Sequence, residues 1–365
     1  MPARCMEWAP TRGAPTNFII KKTMDMKRIL ITRTDRLGDV VLSTPIIRAV
    51  RKTYPDAYIA FMVRPENKDV IINNPDLNEI ILYDKYGKHK SFLSTYLFAS
   101  EIKKKEFDTA VALHPTNRAH TIFFLAGIPN RIGYNRKLSF LLSKVVPHLK
   151  QFGNKHESEY NFDLFRESGI KLKDDSRIPY MYSSDEDKER IDDFIKTRGI
   201  EGDFICIHAG ASCLSKKWDA RRFSETADIL KEKYKSNIVL VGGEETLSIS
   251  EEIMTASKKE IIDLTGALSI GELAELISRS RLFISNDSGP VHVAVAVGTP
   301  VISIFGRKSP GLSPKRWGPL GYRDISLHKD VGCDECKAHE CEIGFKCLKA
   351  VTVEDILLAA EKILS

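Results

Sequence analysis

Four loops of this chain carry residue types and spacings that can do chemistry. The first, Thr34-Asp-Arg-Leu-Gly-Asp39, joins a short apolar run to a helix-like stretch. Gly38 permits a tight turn there and sets Asp39 near a helix N-terminus. A carboxylate in that place can cap the helix or take the proton from a hydroxyl nucleophile, and spacing alone favours the cap. The helix dipole should keep Asp39 ionised at neutral pH, which suits proton acceptance better than donation.

The second loop, His208-Ala-Gly-Ala-Ser-Cys-Leu-Ser-Lys-Lys-Trp218, again follows an apolar run. Ser212, Ser215 and Lys217 are groups that contact phosphate, and Lys217 can neutralise a diphosphate leaving group. A loop lysine on its own is ordinarily a solvated charge. In the third loop, Val241-Gly-Gly-Glu-Glu245, either Glu244 or Glu245 can hold ribose hydroxyls, or both are surface residues. The fourth is Ser285-Asn-Asp-Ser-Gly-Pro-Val-His292. Asp287 or Ser288 can cap a helix with Pro290 in its first turn, so that amides of Ser288 and Gly289 point at an anion. The plainer alternative is a well-capped core helix with His292 as a hydrogen-bonded interior histidine. Gly-x-Gly-x-x-Gly and Gly-x4-Gly-Lys-Ser/Thr motifs are both absent, which counts against a dinucleotide dehydrogenase and a P-loop NTPase.

Positioning these loops requires strands, and buried-strand runs recur at 28–33, 58–63, 79–83, 108–113, 203–208, 237–241, 261–264, 281–285 and 300–305. Amphipathic stretches lie between them. Phe223, Ala227 and Leu230 share one helical face, as do Leu273, Leu276 and Ile277. Ser269 with Glu272, and Ser183 with Glu186, have capping-box spacing. Apolar strands alternating with helices imply an α/β fold with mostly parallel sheets covered on both faces. The 365 residues suit about two domains, with a seam near 178–187. We expect a loose arm over 1–26, a Rossmann-like domain over 27–180, a second over 181–351 and a C-terminal helix over 352–365. Ligand should bind in the cleft between them, at the carboxyl ends of the strands.

With a net charge of +6 and no clustered Arg/aromatic segment, the chain is a poor nucleic-acid binder, although that charge suits an anionic surface or substrate. No apolar run is long enough to span a bilayer. Seven cysteines, an odd number, and the lack of an export signal point to a reducing cytoplasm.

Together, Arg36-Leu-Gly-Asp39, Lys216-Lys-Trp218, Gly242-Gly-Glu-Glu245 and Asn286-Asp-Ser-Gly-Pro-Val-His292 resemble the ADP-heptose:lipopolysaccharide heptosyltransferase family, glycosyltransferase family 9. The resemblance runs from about Lys27 to the C-terminus and implies the GT-B fold, two Rossmann-like domains facing across a cleft. It also implies transfer of heptose from ADP-heptose to the lipopolysaccharide inner core, with inversion at the anomeric carbon. Carried over by motif, the catalytic base falls on Asp39 and the diphosphate lysine on Lys217, with donor contacts from Asp287, Ser288, Gly289 and His292. Ser212, Ser215, Glu244 and Glu245 complete the expected donor site; Arg64, Lys68 and Arg118 are the expected acceptor-binding groups. No cofactor is required by this reading. The expected partners are a nucleotide-sugar donor, a lipid-linked anionic saccharide and the inner-membrane surface, with the chain cytoplasmic or peripheral on that membrane. The competing readings are a GT-B-type transferase or epimerase acting on another nucleotide sugar, and a zinc module in a nucleic-acid-binding protein.

That last reading draws on Cys333-x2-Cys336-x4-Cys341-x5-Cys347, four thiols in fifteen residues. Zinc could bind them tetrahedrally, but we expect a structural loop beside the C-terminal helix and no metal site.

Overall fold

The computed structural model describes residues 26–365. The expected arm therefore lies almost wholly outside the described residues; its last member, Met26, packs into the core.

The first half contains β1 (Arg28–Thr32), α1 (Leu37–Val41), α2 (Thr44–Thr53), β2 (Tyr58–Val63), β3 (Glu79–Leu82) and α3 (Phe92–Lys103). It continues with β4 (Thr109–Ala112), α4 (Asn117–Leu125), β5 (Asn130–Tyr134), β6 (Lys144–Val146) and α5 (Glu157–Glu167). The second half runs through α6 (Asp185–Thr197), β7 (Phe204–His208), α7 (Ala220–Tyr234), β8 (Asn237–Leu240), α8 (Leu247–Ala256) and β9 (Ile262–Asp263). After these come α9 (Ile270–Ser278), β10 (Leu282–Asn286), α10 (Gly289–Ala296), β11 (Val301–Ile304), β12 (Ile325–Leu327) and a C-terminal helix, Val353–Leu364.

Each half is one six-stranded sheet, ordered β3-β2-β1-β4-β5-β6 and β12-β11-β10-β7-β8-β9. Every pairing is parallel. Both sheets have the same winding: the chain runs outward from a central strand, then returns to that strand's other side. The reversals fall between β1 and β4 and between β7 and β10, where doubly wound sheets open a crevice for ligand. Three of the four loops singled out above begin at β1, β7 and β10, and so sit at these reversals. The fourth follows β8.

One apolar cluster is continuous across both halves, joining Ile29 and Phe61 of the first sheet through Val41, Leu276 and Val293 to Phe283 of the second. Separate clusters cover the far faces, around Ile122 and Phe123 in the first half and around Trp218, Phe223 and Ile356 in the second. Capping follows local chemistry. Ser269 and Glu272 form the expected reciprocal box at α9. The box expected at Ser183 and Glu186 is instead formed one residue later, by Ser184 and Asp187.

Candidate active site

The first loop is built on a buried arginine that the sequence reading missed. At the end of β1, the Arg33 Nε donates to both Asp35 oxygens at 2.8 and 3.0 Å. Its Nη1 and Nη2 each donate to Glu157 Oε1 at 3.1 Å, and Nη2 also donates to Asp39. Glu157, at the start of α5, is fully buried and takes two more cations. Lys150 Nζ donates to it at 2.6 Å, and Arg316 of the second half donates through Nε and Nη2 at 3.1 and 2.8 Å. A carboxylate removed from water in this way is stable only with such partners. Burial opposes its charge, but Lys150, Arg33 and Arg316 outweigh burial and hold Glu157 well below the usual carboxylate range.

Asp39 is neither the N-cap of α1 nor held low by the helix dipole. Arg36 occupies the cap position, and Asp39 lies in the first turn with 13% of its side chain exposed. Burial lifts it from 3.8 to about 6. Arg33 and Lys150 pull it down, while the charges of Asp35 and Glu157 push it up. The result is a carboxylate mostly ionised at neutral pH whose proton affinity is matched to base catalysis. Nearby, His114 lies 3.5 Å from Asp35 and is pushed down to about 3, by burial and then by Arg33 and Lys150, so its ring is neutral.

The second cluster gathers at the reversal of the other sheet. Asp287 accepts from Arg307 Nη2 at 2.5 Å and lies 3.3 Å from Lys216 Nζ. The lysine paired with Asp287 is thus Lys216, half-buried, whereas Lys217, expected at the diphosphate, is exposed. Lys216 ends the short 3-10 turn Leu214–Lys216, and Lys217 follows it in extended backbone. Arg307 was also missed. Its position just past the carboxyl end of β11 was the available signal, and its Nε is buried without a hydrogen-bond partner.

Ser288 is the N-cap of α10, but its hydroxyl pairs with Ser285 Oγ at 2.9 Å and His208 Nδ1 at 3.3 Å instead of the first-turn amides. That leaves the start of α10 without a side-chain cap, in keeping with an anion-accepting helix end. Ser285 and His208 are opposed in the β10–β7 register, so the sheet itself fixes this hydroxyl–imidazole group.

Several expected assignments change. His292 is buried; its Cδ2 would lie 2.8 Å from a Cβ placed on Gly38, so its ring packs against α1 at the seam. The Ser215 hydroxyl is buried and engaged with His339 Nδ1 at 3.1 Å. Arg118 spends its guanidinium on the carbonyls of Lys85, His89 and Lys90, at 3.1, 2.7 and 2.7 Å, bracing that loop instead of meeting an acceptor. Arg64 pairs with Glu66 and stacks over Tyr86 at 4.7 Å. Lys68 is half-buried. Ser212, Glu244 and Glu245 are exposed on the loops after β7 and β8.

The two clusters meet because α1 and α10 touch. A Cβ on Gly38 would sit 3.2 Å from the Gly289 Cα, so the residues flanking Asp39 and Ser288 are packed backbone to backbone across the seam. Arg316 and His156 close the same seam elsewhere, the latter through its Nε2 and the Gly318 carbonyl at 2.9 Å.

The four clustered cysteines are free thiols. Among the described residues, no three His, Cys, Asp or Glu side chains gather as a metal-ligand group. Cys347 Sγ donates to the Gly306 carbonyl at 2.6 Å, fastening this loop beneath the second cluster.

Two parallel, doubly wound Rossmann-type sheets packed against each other are the GT-B architecture of glycosyltransferases. The chain matches the family described as Glycosyltransferase family 9 (heptosyltransferase) over residues 96–346, and it belongs to that family. It is similar to a lipopolysaccharide heptosyltransferase 3 of Escherichia coli, at 26% identity over 90% of this chain and 95% of that protein. The solved glycosyl transferase family 9 protein of Veillonella parvula superposes with a TM-score of 0.85 at 26% identity, covering 94% of this chain and 99% of that one. The E. coli ADP-heptose LPS heptosyltransferase II shares the fold, with a TM-score of 0.76 at 21% identity over 93% and 98% of the two chains.

Proposed function

We propose that this chain is an inverting heptosyltransferase that moves the sugar of ADP-heptose onto an anionic, lipid-linked saccharide of the lipopolysaccharide inner core. The observation that carries this reading is the contact of Gly38 with Gly289, which sets Asp39 and the start of α10 on neighbouring residues across one seam. The names of the relatives supply the donor and acceptor classes.

In this mechanism Asp39 takes the proton of the acceptor hydroxyl as that oxygen attacks the anomeric carbon. The bond to the diphosphate breaks on the opposite face, so configuration inverts and ADP departs. Lys216 and the first turn of α10 neutralise the charge that builds on the leaving diphosphate, and Asp287, itself gripped by Arg307, holds Lys216 in place. Residues 27–180 bind the acceptor, with Lys68 on that side, and 181–351 bind the donor, braced by the helix within 352–365. Glu244 or Glu245 takes the ribose hydroxyls and Ser212 borders the phosphates; both loops open at carboxyl ends of the second sheet. A lipid-linked acceptor places the chain at the cytoplasmic face of the inner membrane.

The test is ADP release from ADP-heptose by purified protein, with and without lipid-core acceptor. Asp39→Asn should lower kcat by about 10²–10⁴-fold. Lys216→Ala should lower it by about 10²–10³-fold, with Lys217→Ala close to wild type. Acceptor-independent ADP release, or near-normal turnover by Asp39→Asn, overturns the proposal.

A further inference from the structure

Helix α3 is apolar on more faces than the fold uses. It buries Phe98, Ala99 and Ile102 against the first sheet, yet Phe92 and Leu93 are 79% and 66% exposed, and Tyr96 and Leu97 about half exposed. A solvated helix face ordinarily carries polar residues. The excess continues on the preceding loop, where Tyr86 is 67% exposed.

These groups share one end of the sheet. Tyr86 and the start of α3 both follow the carboxyl end of β3. Their loop is tied to the one bearing Asp39: Lys85 Nζ donates to the Thr34 carbonyl at 2.7 Å, and Arg64 stacks on Tyr86. The apolar rim is therefore the lip of the cleft on the acceptor side.

Its charge is of one sign. Lys88 and Lys90 are exposed among the aromatic residues, and Arg136 and Lys137 are exposed past the carboxyl end of β5. The carboxylates close by are engaged: Asp84 accepts the amides of Tyr86, Gly87 and Lys88, and Glu66 pairs with Arg64. Glu101 and Glu106 lie at the far end of α3, beside Lys103 and Lys104. Protruding Phe, Leu and Tyr ringed by lysine and arginine match the apolar boundary and anionic headgroups of a bilayer.

We propose that this rim, formed by Tyr86 and the exposed face of α3, docks the protein on an anionic lipid surface with the cleft mouth turned toward the membrane. The orientation rests on the transferase reading, but the binding does not. Neither a second copy of this chain nor a protein partner accounts for the one-signed ring of cations around the apolar tips.

The test is co-sedimentation of the full chain with vesicles of phosphatidylcholine alone or with about one-third phosphatidylglycerol. Wild type should pellet with the anionic vesicles and be released by high salt. Phe92→Ser/Leu93→Ser/Leu97→Ser and, separately, Lys88→Gln/Lys90→Gln/Lys137→Gln should each weaken partitioning at least about tenfold. Both sets should leave turnover of a delipidated, soluble core saccharide unchanged and slow turnover of acceptor embedded in vesicles. Wild-type protein that stays in the supernatant overturns the proposal, as does undiminished binding by both variants. So does a dimer in sedimentation velocity that the apolar substitutions dissolve. Failure of soluble-saccharide turnover in wild type would instead strike the transferase reading and leave the lipid result standing.

Discussion

Asp39 and Glu157 are two carboxylates bound by the same arginine, yet their environments push them in opposite directions. Glu157 has three cations within hydrogen-bonding reach and stays charged, whereas Asp39 has burial against it and two neighbouring negative charges. Such divergence is a mark of a site that assigns separate roles to like groups. A base must be deprotonated, so kcat/KM should rise with pH through about 6 and level off above it. Glu157 raises the proton affinity of Asp39, so Glu157→Gln should move that limb to lower pH, with Glu157→Asp restoring it in part. A pH profile of folded Glu157→Gln that stays in place, or moves upward, removes the coupling. Stability follows the same signs. As the pH rises through the window from 3.8 to about 6, ionisation of Asp39 costs the folded state, and that cost is absent at lower pH. Glu157, held below its ordinary 4.5, stabilises the fold above that pH and loses the contribution as the pH falls. The type of residue at 39 and its place beside a glycine were readable from the sequence. Its proton affinity was not, because Lys150 and Glu157 come from far along the chain.

The elements that carry the site were the most legible part, for a physical reason. Central strands buried on both faces, such as β1, β7 and β10, are rich in Ile, Leu and Phe in a run that no helix period explains. β5, β6 and β12, toward the sheet edges, carry polar residues or half-exposed positions and gave no such run. Loops were legible in composition but not in rotation: the turn at 214–216 decided between two adjacent lysines, and the start of α6 between two adjacent serines. The pairing of α1 with α10 is the element-scale feature that function requires, and it depends on Gly38 having no side chain. Gly38→Ala sets a Cβ 2.8 Å from the His292 ring and 3.2 Å from the Gly289 Cα. The expected cost is about 1–3 kcal/mol, seen as a lower Tm, with a fall in kcat as the two helix starts separate. In a double-mutant cycle, His292→Ala should recover part of the stability lost in Gly38→Ala, because the ring is the nearer obstacle. A Gly38→Ala protein as stable and active as wild type would show that the seam does not need this close approach.

At the scale of the molecule, the two sheets share one apolar cluster on one side of the seam and an ionic crossing on another. Arg316 is the crossing residue. Anchored in the second half by the Gly311 carbonyl, it reaches Glu157 and the Lys150 carbonyl of the first. Such a bridge senses whether the halves are apposed, because Glu157 is the same carboxylate that orders Arg33 behind Asp39. Glu157 keeps Arg33 and Lys150 when Arg316 is removed, so Arg316→Ala should fold. The lost charge-assisted contacts should destabilise the closed arrangement by about 1.5–3 kcal/mol. Amide exchange should then quicken at 150–157 and 310–318, while the outer helices α7 and α8 stay protected. The catalytic consequence follows from where the bridge acts. Substrates would still bind to each half, so KM should rise modestly, whereas kcat should fall further because base and leaving group must be presented together. Arg316→Lys, which restores the charge but not the two-pronged grip on Glu157, should recover stability more than kcat. If Arg316→Ala leaves exchange at 150–157 unchanged, the crossing is a surface contact, and apposition of the halves must come from the apolar cluster and the Gly38–Gly289 packing alone.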